Sequence, residues 1–244
     1  MKEKSVWFCS NCGNEYPKWM GRCPACGEWN TMVEQKVATG GSRKAAMTDS
    51  VPGASRRPQK LKDIDSSSEA RLSLNNEEID RILGGGIVEG SLVLIGGEPG
   101  IGKSTLSLQI PLGCPSLKTL YVTGEESLRQ VKMRADRLGG DASTCQIYSE
   151  TLIENVVAQA RGIEPDLMIV DSVQTMFSQT VDSTPGSVTQ IKEVAAILLR
   201  LAKETGIPVI LIGHITKEGY IAGPKVLEHI VDVVLQFEGD NRGS

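Results

Sequence analysis

The sequence predicts an α/β protein whose main body is a largely parallel sheet, preceded by a small cysteine-bearing unit. Three observations carry this prediction. From Leu74 onward, short apolar runs alternate with helical patterns, as they do in a parallel sheet with helices on both faces. Gly97-Glu98-Pro99-Gly100-Ile101-Gly102-Lys103-Ser104 reads GxxxxGKS, the phosphate-binding P-loop. Cys9, Cys12, Cys23 and Cys26 form two CxxC pairs with ten residues between them. That pattern suits one four-cysteine metal site.

Composition narrows the class. A length of 244 residues suits one full domain and something smaller. With 40% hydrophobic and 23% charged residues the chain reads as an ordinary soluble globular protein. Only 4% is aromatic, so the core must be aliphatic. The net charge of −4 argues against a basic coat over the whole surface, but not against a local basic groove. No apolar stretch approaches the roughly 20 residues of a membrane span, and MKEKSVWFCS has no apolar signal-peptide core. The expected compartment is the cytoplasm, where thiols stay reduced.

Taken in order, residues 1–34 form the expected metal-binding domain. Each CxxC pair is followed by a glycine, Gly13 or Gly27. Such a knuckle turns tightly enough to aim two thiolates at one ion, and two knuckles complete a closed tetrahedral zinc site. A thioredoxin-like redox pair is the alternative for a lone CxxC. A unit this short buries too little surface to fold alone, so zinc would supply its stability. Cys114 and Cys145 lie far from these pairs and read as small buried apolar side chains. Residues 35–73 have linker composition, without a single aromatic residue. From Lys36 to Lys62 there are seven Lys or Arg and one Asp. That segment is a solvated tether or a basic strap for a nucleic-acid backbone.

Residues 74–244 form the expected nucleotide-binding domain. A helix over Glu77 to Leu83 is stopped by Gly84-Gly85-Gly86. The strand Ser91 to Ile95 leads into the P-loop and its helix. Further strands are expected at Thr119 to Thr123, Cys145 to Tyr148, Asp166 to Asp171, Pro208 to Gly213 and Val231 to Phe237. Helices are expected at Ser127 to Leu138, Ile153 to Arg161 and Ser187 to Thr205, the last ended by Gly206.

Ligands of such sheets bind at the carboxyl ends of the strands, which gathers the polar candidates into one site. Gly97, Glu98, Pro99, Gly100, Ile101, Gly102, Lys103, Ser104 and Thr105 would cradle the phosphates of ATP. Backbone N–H groups and the helix N-terminus supply positive potential there. Lys103 can reach the β- and γ-phosphates, and Ser104 can ligate Mg²⁺. Leu167 to Asp171 is an apolar strand ending in a carboxylate, which suits the Walker B acid of the Mg²⁺ shell. Glu125 or Glu126, at the end of the Thr119 strand, can orient and deprotonate an attacking water. Glu125 is the preferred base. Acids also favour a helix N-terminal turn with no catalytic duty. His214 ends its strand and either reads the γ-phosphate or is an ordinary strand-end residue.

GGGIVEGSLVLIGGEPGIGKSTL, YVTGEES, IVDSVQT, PGSVTQI and GHITKEGYIAGPKVLEHIVD, with the cysteine pairs and the basic linker, resemble the bacterial RadA/Sms family of recombination and repair proteins. The resemblance runs from Cys9 to about Gly239. It implies a RecA-like P-loop core and a DNA-stimulated ATPase. Such proteins assemble into homo-oligomeric rings, move on single-stranded DNA and process branched recombination intermediates. It further implies that Glu125 is the catalytic glutamate, Asp171 the Walker B acid and His214 the sensor. Stretches Ser178 to Gln190 and Thr216 to Lys225 would face DNA, with Lys217 and Lys225 on its phosphates. A nucleotide-gated switch on the same fold is the alternative. Family members continue with a Lys-Asn-Arg-Phe-Gly motif and a domain resembling the Lon protease fold. This sequence ends at Ser244, and Asn241-Arg242-Gly243 does not match that motif. The resemblance implies that the sequence as given binds Mg²⁺–ATP but assembles and turns over poorly without the downstream segment.

Overall fold

The structure is a computed structural model and describes residues 3–9, 15–25, 27–38, 60–61, 71–214 and 224–238. The cysteine unit is a small antiparallel sheet of β1 (Glu3–Cys9), β2 (Glu15–Tyr16) and β3 (Met32–Ala38), in the order β2-β1-β3. Cys9 ends β1 opposite Met32 of β3. Cys9, Cys23 and Met32 make its buried cluster, with Trp7, Tyr16 and Met20 packed around them. β3 continues to Ala38, into the stretch whose composition reads as linker. Its pairing with the whole of β1 overrides that local composition.

The main body begins at β4 (Arg71–Leu72), which pairs antiparallel with β5 (Ile87–Val88) around helix α1 (Glu77–Ile82). Among the described residues, packed structure of the main body is therefore present three residues before Leu74. Leu72 packs against the core, so the chain is already committed there. Next come β6 (Leu92–Gly97), α2 (Lys103–Gly113), β7 (Thr119–Thr123), α3 (Leu128–Leu138), β8 (Cys145–Ser149) and α4 (Ile153–Ile163). β9 (Leu167–Asp171), α5 (Val188–Thr205), β10 (Val209–His214), α6 (Pro224–Leu227) and β11 (Val233–Phe237) complete the order.

Among the described residues, β6 to β11 form one six-stranded sheet in the order β11-β6-β10-β9-β7-β8. Every neighbouring pair is parallel. Side chains alternate between its faces, as the pleat requires. Leu92, Leu94, Leu120, Val122, Met168, Val170, Val209 and Leu211 face α4 and α5. Val93, Ile95, Tyr121, Leu167, Ile169, Ile210 and Ile212 face α1, α2 and α3. Helices cover both faces, which is why the strands are apolar on both sides.

The helix ends follow local chemistry. Ser127 caps α3 in a capping box with Gln130. Ser187 caps α5, and Gly206 closes it in the left-handed region. Cys114 is buried, whereas Cys145 is half-buried at the start of the edge strand β8. Burial pushes the Cys145 thiol up to about 11.

Leu198 of α5 is fully buried between helix and sheet. Leu198→Ala should lower stability by about 2–5 kcal/mol through lost apolar contact and a residual cavity. Urea unfolding should report an earlier midpoint with an unchanged slope. An unmoved midpoint would show that this helix face contributes nothing to the core.

Candidate active site and zinc-binding unit

Parallel pairing puts the carboxyl ends of β6, β7, β9 and β10 at one edge of the sheet. Their last residues are Gly97, Thr123, Asp171 and His214. His214 lies opposite Gly97, and Thr123 opposite Asp171. The P-loop, Glu125 and Ser172 follow directly from three of these ends, so the topology itself gathers them.

The P-loop joins β6 to α2. Gly102 is the N-cap of α2 at φ 107° and offers no side-chain cap. Only glycine adopts that backbone readily, and the first N–H groups of α2 are left for an anion. Lys103 is 3% exposed. Its Nζ donates to the backbone oxygens of Gly97 at 2.8 Å and Glu98 at 2.7 Å. Burial lowers its pKa, and Asp171 and Glu125 oppose that shift. The lysine therefore sits in the field of both carboxylates. Ser104 follows it in the first turn of α2 and is half-buried.

Asp171 is 6% exposed. Tyr121 donates its hydroxyl to Asp171 Oδ2 at 2.8 Å. The Asp171–Ser172 peptide bond is cis. Ser172 donates to Glu125 Oε1 at 2.6 Å, and His214 Nε2 lies 3.1 Å from the same oxygen. Ionised carboxylates only accept, so Nε2 carries the proton in that contact. The His214 hydrogen bond, joined by that of Ser172, lowers the Glu125 pKa to about 2 against the effect of burial. Glu126 is engaged differently. It pairs with Arg134 of α3, and its N–H donates to Thr123 Oγ1 at 3.0 Å. Geometry thus separates the neighbouring glutamates: Glu125 faces Ser172 and His214, while Glu126 is tied to a helix. Gly124 makes this possible. A Cβ there would lie 2.1 Å from Thr175 Oγ1, so only glycine lets the loop after β9 close onto Glu125.

The two DNA-facing expectations fare differently. Ser178 and Gln190, which bound the first stretch, are each 1% exposed. Gln190 Oε1 accepts from Ser178 N at 2.8 Å, and its Nε2 donates to the oxygens of Ser178, Val181 and Ser183. These two residues brace the loop from within and cannot touch DNA directly. Its exposed crest includes Gln179, Thr180 and Thr184. The second stretch, with Lys217 and the side chain of Lys225, lies outside the described residues.

In the cysteine unit, Cys9 and Cys23 are 0% and 1% exposed and share one cluster. The structure thus brings together one cysteine from each CxxC pair. Gly27 N donates to Cys23 O at 2.8 Å, the tight turn of a knuckle. Two buried thiols from separate pairs fit a soft ion such as Zn²⁺. Cys12 and Cys26 lie outside the described residues. Sequence reasoning assigned no role to Tyr121, Ser172 or Arg134, and gave Gln190 a DNA-facing one. Only the register across β7 and β9 places the tyrosine near Asp171.

A family model described as an AAA domain matches residues 55–220. The chain belongs to that family. A model described as a rubredoxin metal binding domain matches residues 7–34. The chain is homologous to the DNA repair protein RadA of Bacillus subtilis, with 48% identity over 98% of this chain and 53% of the relative. RadA of Pseudomonas aeruginosa is 46% identical over 99% of this chain and 53% of the relative. The chain spans about half the length of the curated relatives it matches. A KaiC-like protein of Pyrococcus horikoshii superposes with a TM-score of 0.58 at 21% identity, covering 72% of this chain and 85% of that one. That likeness shows the fold of the main body alone, a RecA-like parallel sheet.

Two outcomes follow from this geometry. A group with a depressed pKa contributes stability above its unfolded value and loses it as the pH falls. For Glu125 the contribution is present above about pH 4.5 and disappears toward about pH 2. Carbon-13 NMR titration of its side chain should show an acidic midpoint that rises in Ser172→Ala and rises further in His214→Ala. Midpoints unchanged in both variants would rule out the two hydrogen bonds as its cause. In the cysteine unit, Cys23→Ala should abolish zinc binding while the main body keeps its near-UV circular dichroism. Metal analysis of the reduced, unsubstituted chain should find one zinc per chain with Zn–S near ~2.3 Å. A zinc-free sample would overturn the assignment.

Proposed function

We propose that this chain is a Mg²⁺-dependent ATPase of DNA repair that uses hydrolysis to move on single-stranded DNA and to process or extend branched recombination intermediates. The observation that carries the ATPase part is the convergence of Lys103, Asp171 and Glu125 from three separate elements on one sheet edge. The DNA part rests on homology to proteins named for DNA repair.

In this reading the P-loop, from Gly97 to Thr105, holds the triphosphate with backbone N–H groups, and Lys103 neutralises its terminal phosphates. Ser104 and Asp171 would hold Mg²⁺. Their hydroxyl and carboxylate oxygens are the hard donors that ion takes, and one oxygen of Asp171 is free of the Tyr121 hydrogen bond. When bound, Mg²⁺ would neutralise charge on the phosphate oxygens. Glu125 orients the attacking water and accepts its proton. His214 touches that carboxylate and stands beside the P-loop strand, so it can couple the state of the nucleotide to the segment that follows it. Glu126 braces α3 through Arg134.

The division of labour is a zinc unit within residues 1–34, a basic linker, and an ATPase domain that packs from Arg71 onward. Four thiolates, from Cys9, Cys12, Cys23 and Cys26, would hold the structural zinc. DNA is met by the exposed crest of the loop after β9 and by the segment after β10. The stretch from Ser178 to Gln190 has no Lys or Arg, so hydroxyls and amides are what its crest offers. Neutralising phosphates falls to Lys217 and Lys225. A homo-oligomeric ring and a cytoplasmic setting accompany this reading. Among the described residues no helix is long and apolar enough to cross a membrane.

Turnover with and without single-stranded DNA tests the proposal. Lys103→Ala should lose nucleotide binding. Glu125→Gln should keep binding but hydrolyse about 10²-fold more slowly, whereas Glu126→Gln should hydrolyse near the normal rate. If Glu126→Gln were inactive and Glu125→Gln normal, the base would be reassigned. Hydrolysis that ignores DNA in a chain carrying the full length of its relatives would favour a nucleotide-gated switch over a motor.

A further inference from the structure

The reading of Asp171 as a magnesium-site acid leaves its closest side-chain partner without a role. Tyr121 stands in the middle of β7, between Leu120 and Val122, and is completely buried. A tyrosine is an unusual choice there, because its hydroxyl must find a partner in a dry interior. Register supplies one. Tyr121 pairs with Ile169, and Asp171 is two residues further along β9 on the same face. A diagonal neighbour at that offset is within reach of a long aromatic side chain. The hydroxyl meets Asp171 Oδ2 at 2.8 Å. A phenylalanine would fill the same space among Val131, Ala135 and Ile169, so apolar packing does not account for the oxygen.

We propose that Tyr121 is a positioning residue for the magnesium site, fixing the Asp171 carboxylate so that its second oxygen faces the P-loop. This rests on the ATPase reading above and extends it to a residue to which that reading gives no role. A carboxylate on a single side-chain bond rotates. A donor locked by packing on one oxygen holds the plane and leaves the other oxygen presented. A phenol is a donor and an ionised carboxylate only accepts, so the direction of this hydrogen bond is fixed.

The test is the magnesium dependence of nucleotide binding, read with a fluorescent ATP analogue and independent of turnover. In Tyr121→Phe the magnesium concentration at half-saturation should rise about 10-fold or more, the usual loss when a metal ligand loses its outer partner. Binding in EDTA should be unchanged. In an Asp171→Asn background, Tyr121→Phe should add nothing. Equal magnesium midpoints in the folded wild type and Tyr121→Phe, or additive effects in the double variant, would overturn the proposal. A second measurement needs no substitution. The carbon-13 signal of the Tyr121 Cζ should shift when Mg²⁺ joins the ATP complex, and a signal that ignores the metal counts against the proposal even if Tyr121→Phe does not fold. Nucleotide binding by the wild type that ignores magnesium altogether would instead sink the underlying reading of Asp171.

Discussion

A sheet covered by helices on both faces leaves its strands only one place to carry charge, and that is their ends. Within β6, β7, β9 and β10 the side chains are aliphatic on both sides. An unpaired polar group there would lose its water without compensation. Parallel pairing then assigns all the carboxyl ends to one edge. Gly97, Thr123, Asp171 and His214 are brought together by this constraint. Residues far apart in the chain meet because burial forbids them any other position on their strands.

Tyr121 is the exception that defines the rule. It is polar and lies inside a strand, yet its hydroxyl reaches out to the strand end and bonds there. The same solution recurs at Gln190, fully enclosed at the start of α5, whose amide satisfies four backbone groups of the preceding loop. In both cases one buried polar side chain ties the interior to the edge that holds the carboxyl ends of the strands. Removing such a group leaves its partners unsatisfied, which is more damaging than the loss of one hydrogen bond. Rigidity at the edge thus comes from a few enclosed polar groups as well as from the apolar core.

Much of this arrangement was legible in the sequence. Apolar runs ending in Asp171 or Gly213, serine caps at Ser127 and Ser187, and the stop at Gly206 all act through neighbours in the chain. The β4–β5 pair was not legible, because two residues on either side of α1 carry no periodicity. Nor was the partner of Tyr121, which in isolation reads as one more large core residue. Its meaning depends on the register between β7 and β9, and on β10 rather than β7 taking the place next to β6. The sequence favoured Glu125 over Glu126, but what holds Glu126 away was hidden for the same reason. Arg134 lies eight residues beyond Glu126, within helical reach, but nothing local says that it turns toward that glutamate. For the loop after β9, the resemblance implied a DNA-facing stretch from Ser178 to Gln190. Ser178 and Gln190 instead satisfy each other inside it.

Charge at the site edge is shared. Burial disfavours the ammonium of Lys103, and Asp171 and Glu125 favour it. The lysine in turn helps to keep Glu125 ionised. Glu125 also answers to Ser172 and His214, and Asp171 to Tyr121. Lys103 and Glu125 thus each answer to more than one neighbour. A bare triphosphate arriving here would set its negative charge against two carboxylates with one lysine to offset them. The same ligand carrying a divalent cation would turn Asp171 from an obstacle into a partner. Two consequences follow for substitutions at this edge. Lys103 lies in the field of both carboxylates, so effects of substitutions at Lys103, Asp171 and Glu125 are coupled and do not sum. Replacing an uncharged brace such as Tyr121 or Ser172 leaves the formal charges in place and changes only where they point. Comparing the two kinds of substitution therefore separates what the site does by charge from what it does by geometry.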